Sequence, residues 1–156
     1  MLVINSVRGN INRLPGKAER LLMHKNLDRV LLYWDELGNR VIRKMTSSGI
    51  AVVIAFGRGT RLKDGDILLE DEKSLLIVRV IPEEVLEITT SSLYEMGAAC
   101  YHLGSRELRA IIEGSKITIP YNRDAELALQ RLGIKFRRES RGVDFGAWEA
   151  CWTGNN

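Results

Sequence analysis

The sequence predicts an α+β protein, an N-terminal all-β domain followed by a ferredoxin-like βαββαβ domain. Up to residue 81, short runs rich in Val, Ile and Leu recur between Gly, Asn and Asp, which is the pattern of strands and turns. At Pro82 the pattern changes, and segments with helical spacing appear among the strands. The 156-residue chain is 45% hydrophobic, enough for a core in each half.

In the first half, strands are expected near 2–6, 29–34, 40–45, 51–55, 66–70 and 74–80, with a short helix near 16–23. Leu37, Gly38, Asn39 and Arg40 join two of them. Lys63-Asp64-Gly65-Asp66 makes a tight turn, and Asp71-Glu72-Lys73 closes a hairpin, because Gly and Asp suit turn geometry. After Pro82 the order is strand 84–88, helix 91–103, strand 108–113, strand 116–119, helix 123–132 and strand 134–139. Thr90 or Ser91 is expected to cap the first of these helices, Glu95 to sit near its positive end, and Gly104 to stop it. For the second, Asn122 is the expected cap. Ala125, Ala128, Leu129 and Leu132 form its apolar stripe, and Gly133 ends it. The domains are therefore expected at 1–81 and 82–140, with 141–156 as a tail.

Composition narrows the function. No run approaches the roughly 18 apolar residues that cross a bilayer, and MLVINSVRGN is not a secretory leader, so a cytoplasmic protein without membrane contact is expected. A net charge of +3 is too small an excess to argue for nucleic acid, and no nucleic-acid partner is expected. The basic run Lys135 to Arg141 reads as a charged edge strand. Cys100 and Cys151 lie far apart and form no C-x-x-C pair, which speaks against a disulfide framework or a zinc finger.

Catalytic signals are weak. No Ser or Cys stands in a nucleophile elbow, and Phe56-Gly57-Arg58-Gly59-Thr60 lacks the Lys-Ser/Thr ending of a phosphate loop. Asp64 and Asp66 flank a turn glycine, where Asp is favoured for local hydrogen bonding. The chain is therefore expected not to be an enzyme. Its two histidines, His24 and His102, have no i, i+4 partner that would build a zinc site. His24 reads as a surface-loop residue. On the helix 91–103, Leu93, Met96, Gly97, Cys100 and Leu103 share a face expected to meet the sheet, which makes Cys100 a core residue. His102 lies about 200° further round than Cys100, pointing away from that core above Glu95.

Several landmarks recur together in one family: R-L-K-D-G-D-I-L at 61–68, P-E-E-V-L-E-I at 82–88, C-Y-H-L-G-S-R-E at 100–107 and L-G-I-K-F at 132–136. In order and spacing they resemble the UreE family of urease accessory proteins, nickel metallochaperones, over residues 28 to 139. The resemblance implies an N-terminal domain of peptide- or partner-binding type and a ferredoxin-like domain for metal binding and dimerisation. It also implies a cytoplasmic homodimer that binds nickel and delivers it during urease metallocentre assembly. The implied partners are urease and the urease accessory GTPase complex.

In the family the motif typically reads G-N-R-H, and its histidine binds nickel at the dimer interface, one from each subunit. Here Gly104-Ser105-Arg106-Glu107 puts a carboxylate in that place. The expected metal residues are therefore Glu107 and His102, joined by Cys151 from the histidine-free tail. Nickel is the expected cargo and zinc the second ion such a site would take. Carboxylate suits borderline nickel less well than imidazole, so the affinity is expected to be reduced. The alternative is a protein-interaction scaffold of the same fold without tight metal binding.

Overall fold

A computed structural model describes residues 1–147, and they fall into two units, one ending at Ile81 and the other beginning at Pro82.

The N-terminal unit is built on two sheets. In one, β1 (Leu2–Ile4) pairs in parallel with β5 (Ala51–Ala55), which pairs antiparallel with β4 (Val41–Met45). The other has the order β2 (Gly9–Asn10), β6 (Asp66–Glu70), β7 (Ser74–Val80), β3 (Asn26–Leu32). Ile42 and Ile54 from the first sheet meet Val30, Leu32, Leu76 and Val78 from the second in one core. The helix expected near 16–23 is present as α1 (Pro15–His24), and it covers the opposite face of the second sheet through Leu21, against Leu75 and Ile77. The run Leu75-Leu76-Ile77-Val78 is buried at every position because both faces of β7 are covered. That explains a continuous apolar run where a one-sided strand would alternate. The unit is thus sheet-rich but carries a real helical layer, and His24 is the exposed last residue of that helix, not a loop residue.

At Gly65 the chain has φ 81, and a Cβ there would come within 2.5 Å of Asn12 Nδ2. Only glycine fits both the backbone and the space. The flanking aspartates hold more than their own turn. Asp66 Oδ2 accepts from the Lys63 N–H and Oδ1 from Asn10 Nδ2, while Asp64 accepts from the Val80 N–H and from Arg79.

The C-terminal unit follows the βαββαβ order with β8 (Glu83–Thr89), α2 (Leu93–Gly104), β9 (Ile111–Glu113), β10 (Lys116–Pro120), α3 (Arg123–Leu132) and β11 (Lys135–Arg141). The sheet order is β11-β8-β10-β9, with every pairing antiparallel. Both helices pack on one face, where Ala99, Leu103, Ala125 and Leu129 meet Leu86, Ile88, Ile117 and Ile119. Asn122 caps α3 by accepting from the Ala125 N–H, and Gly133 stops it at φ 67. The strand expected at 108–113 begins only at Ile111. Beyond Ser140 the chain is not simply a tail, since β11 runs to Arg141 and Phe145 is buried. Among the described residues no helix is long and apolar enough to cross a membrane.

Candidate metal centre

Of the site residues named from sequence, His102 lies on α2 and Glu107 in the turn that ends it. Ser92 is the cap, one residue later than expected. Its hydroxyl accepts from the Glu95 N–H, while the Glu95 carboxylate accepts from the Ser91 N–H and hydroxyl. Those Ser91 hydrogen bonds hold the Glu95 carboxyl below its usual range, and they engage it at the helix start, not beneath His102.

The buried line of α2 also differs from the expected one. Ala99 and Leu103 are buried, with Met96 and Cys100 half-buried beside them. Leu93 is 89% exposed and Gly97 is exposed too. The helix seats on Ala99, whose small side chain permits close approach to the sheet, and this turns Leu93 and Gly97 outward. Tyr94 and Tyr101 share that outward side, at 84% and 75% exposure. An ordinary surface helix is apolar on one face only, whereas α2 is apolar on both. Sequence reasoning missed this second face, although Leu93, Gly97 and Tyr101 at i, i+4 and i+8 are legible as a stripe.

Gly104 is the last residue of the helix and does not itself stop it. The stop comes three residues later. The Glu107 N–H donates to the Gly104 carbonyl at 3.0 Å, and the Leu108 N–H donates to the Leu103 carbonyl at 3.3 Å. This is a Schellman motif, with Leu108 packed against the cluster that contains Leu103. Glu107 occupies its left-handed position at φ 55, the one non-glycine residue with positive φ among the described residues. A residue with a Cβ there costs roughly 1–2 kcal/mol. The turn therefore holds an exposed carboxylate at a strained position on a rigid frame.

His102 is half-buried one turn earlier, its ring edge-on to Tyr101 with centroids 5.7 Å apart. Its carbonyl accepts from Ser105 Oγ at 2.9 Å and from Arg106 Nη1 at 2.7 Å, so the helix end is closed by side chains as well. The Cys100 thiol lies 3.7 Å from Met96 Sδ, and burial pushes its pKa up, which keeps it protonated and a poor ligand. Cys151 and Glu149 lie outside the described residues. Among the described residues no three His, Cys, Asp or Glu side chains gather as a metal site. Among the described residues, His102 and Glu107 thus lie at one helix end without a third donor.

The basic run of β11 is occupied by carboxylates. Glu87 receives Lys116 at 3.0 Å, Arg137 at 2.9 Å and Arg141 at 3.4 Å, and Arg138 grips Glu84 while lying over the Tyr121 ring. The Lys116 hydrogen bond, aided by the charges of Arg137 and Arg141, holds the Glu87 carboxyl below its usual range.

Comparison with known proteins covers both units. Residues 4–81 match the family model of the UreE urease accessory protein, N-terminal domain, and residues 83–145 match that of the C-terminal domain. The chain is similar to urease accessory protein UreE of Bacillus sp. (strain TB-90), 34% identical over 90% of each chain. It is also similar to those of Bacillus cereus, 35% identical over 90% of this chain and 91% of the relative, and Geobacillus kaustophilus, 32% identical over 91% and 92%.

Proposed function

The chain belongs to the UreE family of urease accessory proteins, and from that premise we propose that it binds nickel and hands it on during assembly of the urease metallocentre. It acts in the cytoplasm as a homodimer, without a catalytic step of its own, and its partners are urease and the accessory GTPase complex. The observation that carries this reading is the placement of Glu107. It is exposed on a Schellman turn, next to a helix whose outward face is apolar.

Two copies meeting through that face, about a two-fold axis near Tyr101 and Gly104, bring two Glu107 carboxylates together. Like charges held close repel unless a cation or a proton lies between them. The paired site therefore attracts a divalent ion, and His102 from the last turn adds a nitrogen donor. Carboxylate oxygens serve nickel less well than imidazole, and zinc accepts the same donors. Weak holding suits a protein that must release its cargo. The scaffold reading draws support from the absence of a three-donor cluster among the described residues.

Calorimetry with nickel separates the two. Glu107→Ala should abolish the specific heat of binding, and His102→Ala should weaken it less. Glu107→His should tighten binding by roughly tenfold or more, about 1.4 kcal/mol. Identical isotherms for the parent protein and Glu107→Ala favour the scaffold.

A further inference from the structure

A cavity of about 290 Å³ opens in the N-terminal unit, walled by Leu2 of β1, Leu69 of β6, Leu76 of β7 and Ile50 of the loop between β4 and β5, among others. The leucines come from both sheets, so the cavity continues the apolar space between them outward. Ile50, 52% exposed, stands where it meets solvent. Among the described residues, Asp28 is its one charged lining side chain. Asp28 Oδ1 accepts from the Arg29 and Ser48 N–H groups at 2.8 and 3.0 Å, and Oδ2 accepts from the Ser48 hydroxyl. Thr46 supports that hydroxyl, its Oγ1 lying 3.1 Å from Ser48 Oγ while accepting from the Ile50 N–H. Burial pushes the Asp28 carboxyl pKa up, but the Ser48 and Thr46 hydroxyls and the Arg29 and Ser48 N–H groups outweigh it and hold the carboxyl below its usual range. Every one of these donors is neutral, and no cation pairs with Asp28 among the described residues. A fixed, ionised carboxylate thus stands unbalanced beside an apolar wall, and Oδ2, with one hydrogen bond, has room to accept another.

We propose that this cavity binds a small primary amine with an apolar body, its ammonium on Asp28 and its carbons against the leucines. The unpaired carboxylate sets the sign of the head, because a charge removed from water needs a partner of the opposite sign. The walls set the body, since apolar surface holds water poorly and gains from covering apolar carbon. No aromatic side chain lines the cavity, which disfavours a quaternary ammonium, a cation that has no N–H to donate and is held by ring faces. A divalent ion would need several oxygen ligands, and the Thr46 and Ser48 hydroxyls are already engaged. The volume stands at the small end of ligand sites, which limits the ligand to a short chain or a single ring.

The test is an amide NMR titration of the full-length, metal-free protein with hexylamine, hexanol and hexanoate, which share a chain and differ in the charge of the head. Metal is left out because amines ligate nickel. Hexylamine should shift the Ser48 and Ile50 N–H signals saturably, and hexanoate should bind at least about tenfold more weakly, the scale of one charge-assisted hydrogen bond. Asp28→Asn keeps the size of the side chain and removes its charge. It should weaken hexylamine by at least about tenfold and leave hexanol within about twofold of the parent. Ile50→Ala should weaken amine and alcohol alike, because it trims the wall and not the charge. Melting curves show whether Asp28→Asn keeps its fold, and the comparison of hexylamine with hexanoate on the parent stands even where it does not. Three outcomes overturn the proposal: no saturable shift at Ser48 and Ile50, equal affinity for hexylamine and hexanoate, or a folded Asp28→Asn protein that binds hexylamine as tightly as the parent.

Discussion

Glu107 combines two properties that pull in opposite directions. Its left-handed backbone favours glycine, yet its side chain is the one that the proposed site requires. Glu107→Gly should therefore raise the melting temperature, by the equivalent of about 0.5–1 kcal/mol once the greater freedom of glycine in the unfolded chain is subtracted. The same variant should lose interfacial nickel. Differential scanning calorimetry beside nickel titration checks both, and a Glu107→Gly protein no more stable than the parent would mean that the turn is not strained. The sequence marked Glu107 through its place in C-Y-H-L-G-S-R-E, but not its conformation. A Schellman turn is written in backbone hydrogen bonds from Leu103 to Leu108, and side-chain identity announces it only when glycine stands at the left-handed position. For the same reason Gly133 was readable as a helix stop, whereas at the end of α2 the place, near Gly104, was readable and the turn that closes it at Glu107 was not.

Among the elements, those whose boundaries rest on local chemistry were legible. Asn122 and Gly133 bracket α3, and Asp71 accepting from the Lys73 and Ser74 N–H groups closes the β6–β7 hairpin. Elements set by tertiary packing were not. The rotation of α2 depends on Ala99 seating against the sheet, and the N-terminal helix earns its layer only because Leu75 and Ile77 offer a second apolar face. Ser92→Ala should cost about 1 kcal/mol by removing the α2 cap, lowering the melting temperature of the C-terminal unit by roughly 4–8 °C. A fall of that size at Ser91→Ala and none at Ser92→Ala would place the cap one residue earlier. Glu87 tests the sheet in a different way. Its folded pKa is depressed, so its contribution is complete above the ordinary carboxylate value of about 4.3 and is lost as pH falls through the lower folded value. Glu87→Gln should be less stable than the parent in urea at pH 7, and the gap should close in strong acid. A gap that persists unchanged there would mean that packing, not charge, is what Glu87 supplies.

For the whole molecule, the outward side of α2 must find a partner if the site is shared. Leu93, Tyr94, Gly97 and Tyr101 form an exposed apolar stripe, and a bulky charge placed in it should separate the copies. Tyr101→Glu should be monomeric by light scattering at concentrations where the parent is a dimer, and a parent that is itself monomeric would contradict the shared site. The most direct test is native mass spectrometry of the parent protein and Glu107→Ala with nickel. A carboxylate pair at a two-fold axis predicts one nickel for every two chains in the parent and none held specifically in Glu107→Ala. One nickel bound to each separate chain, or the same loading in both proteins, would contradict it.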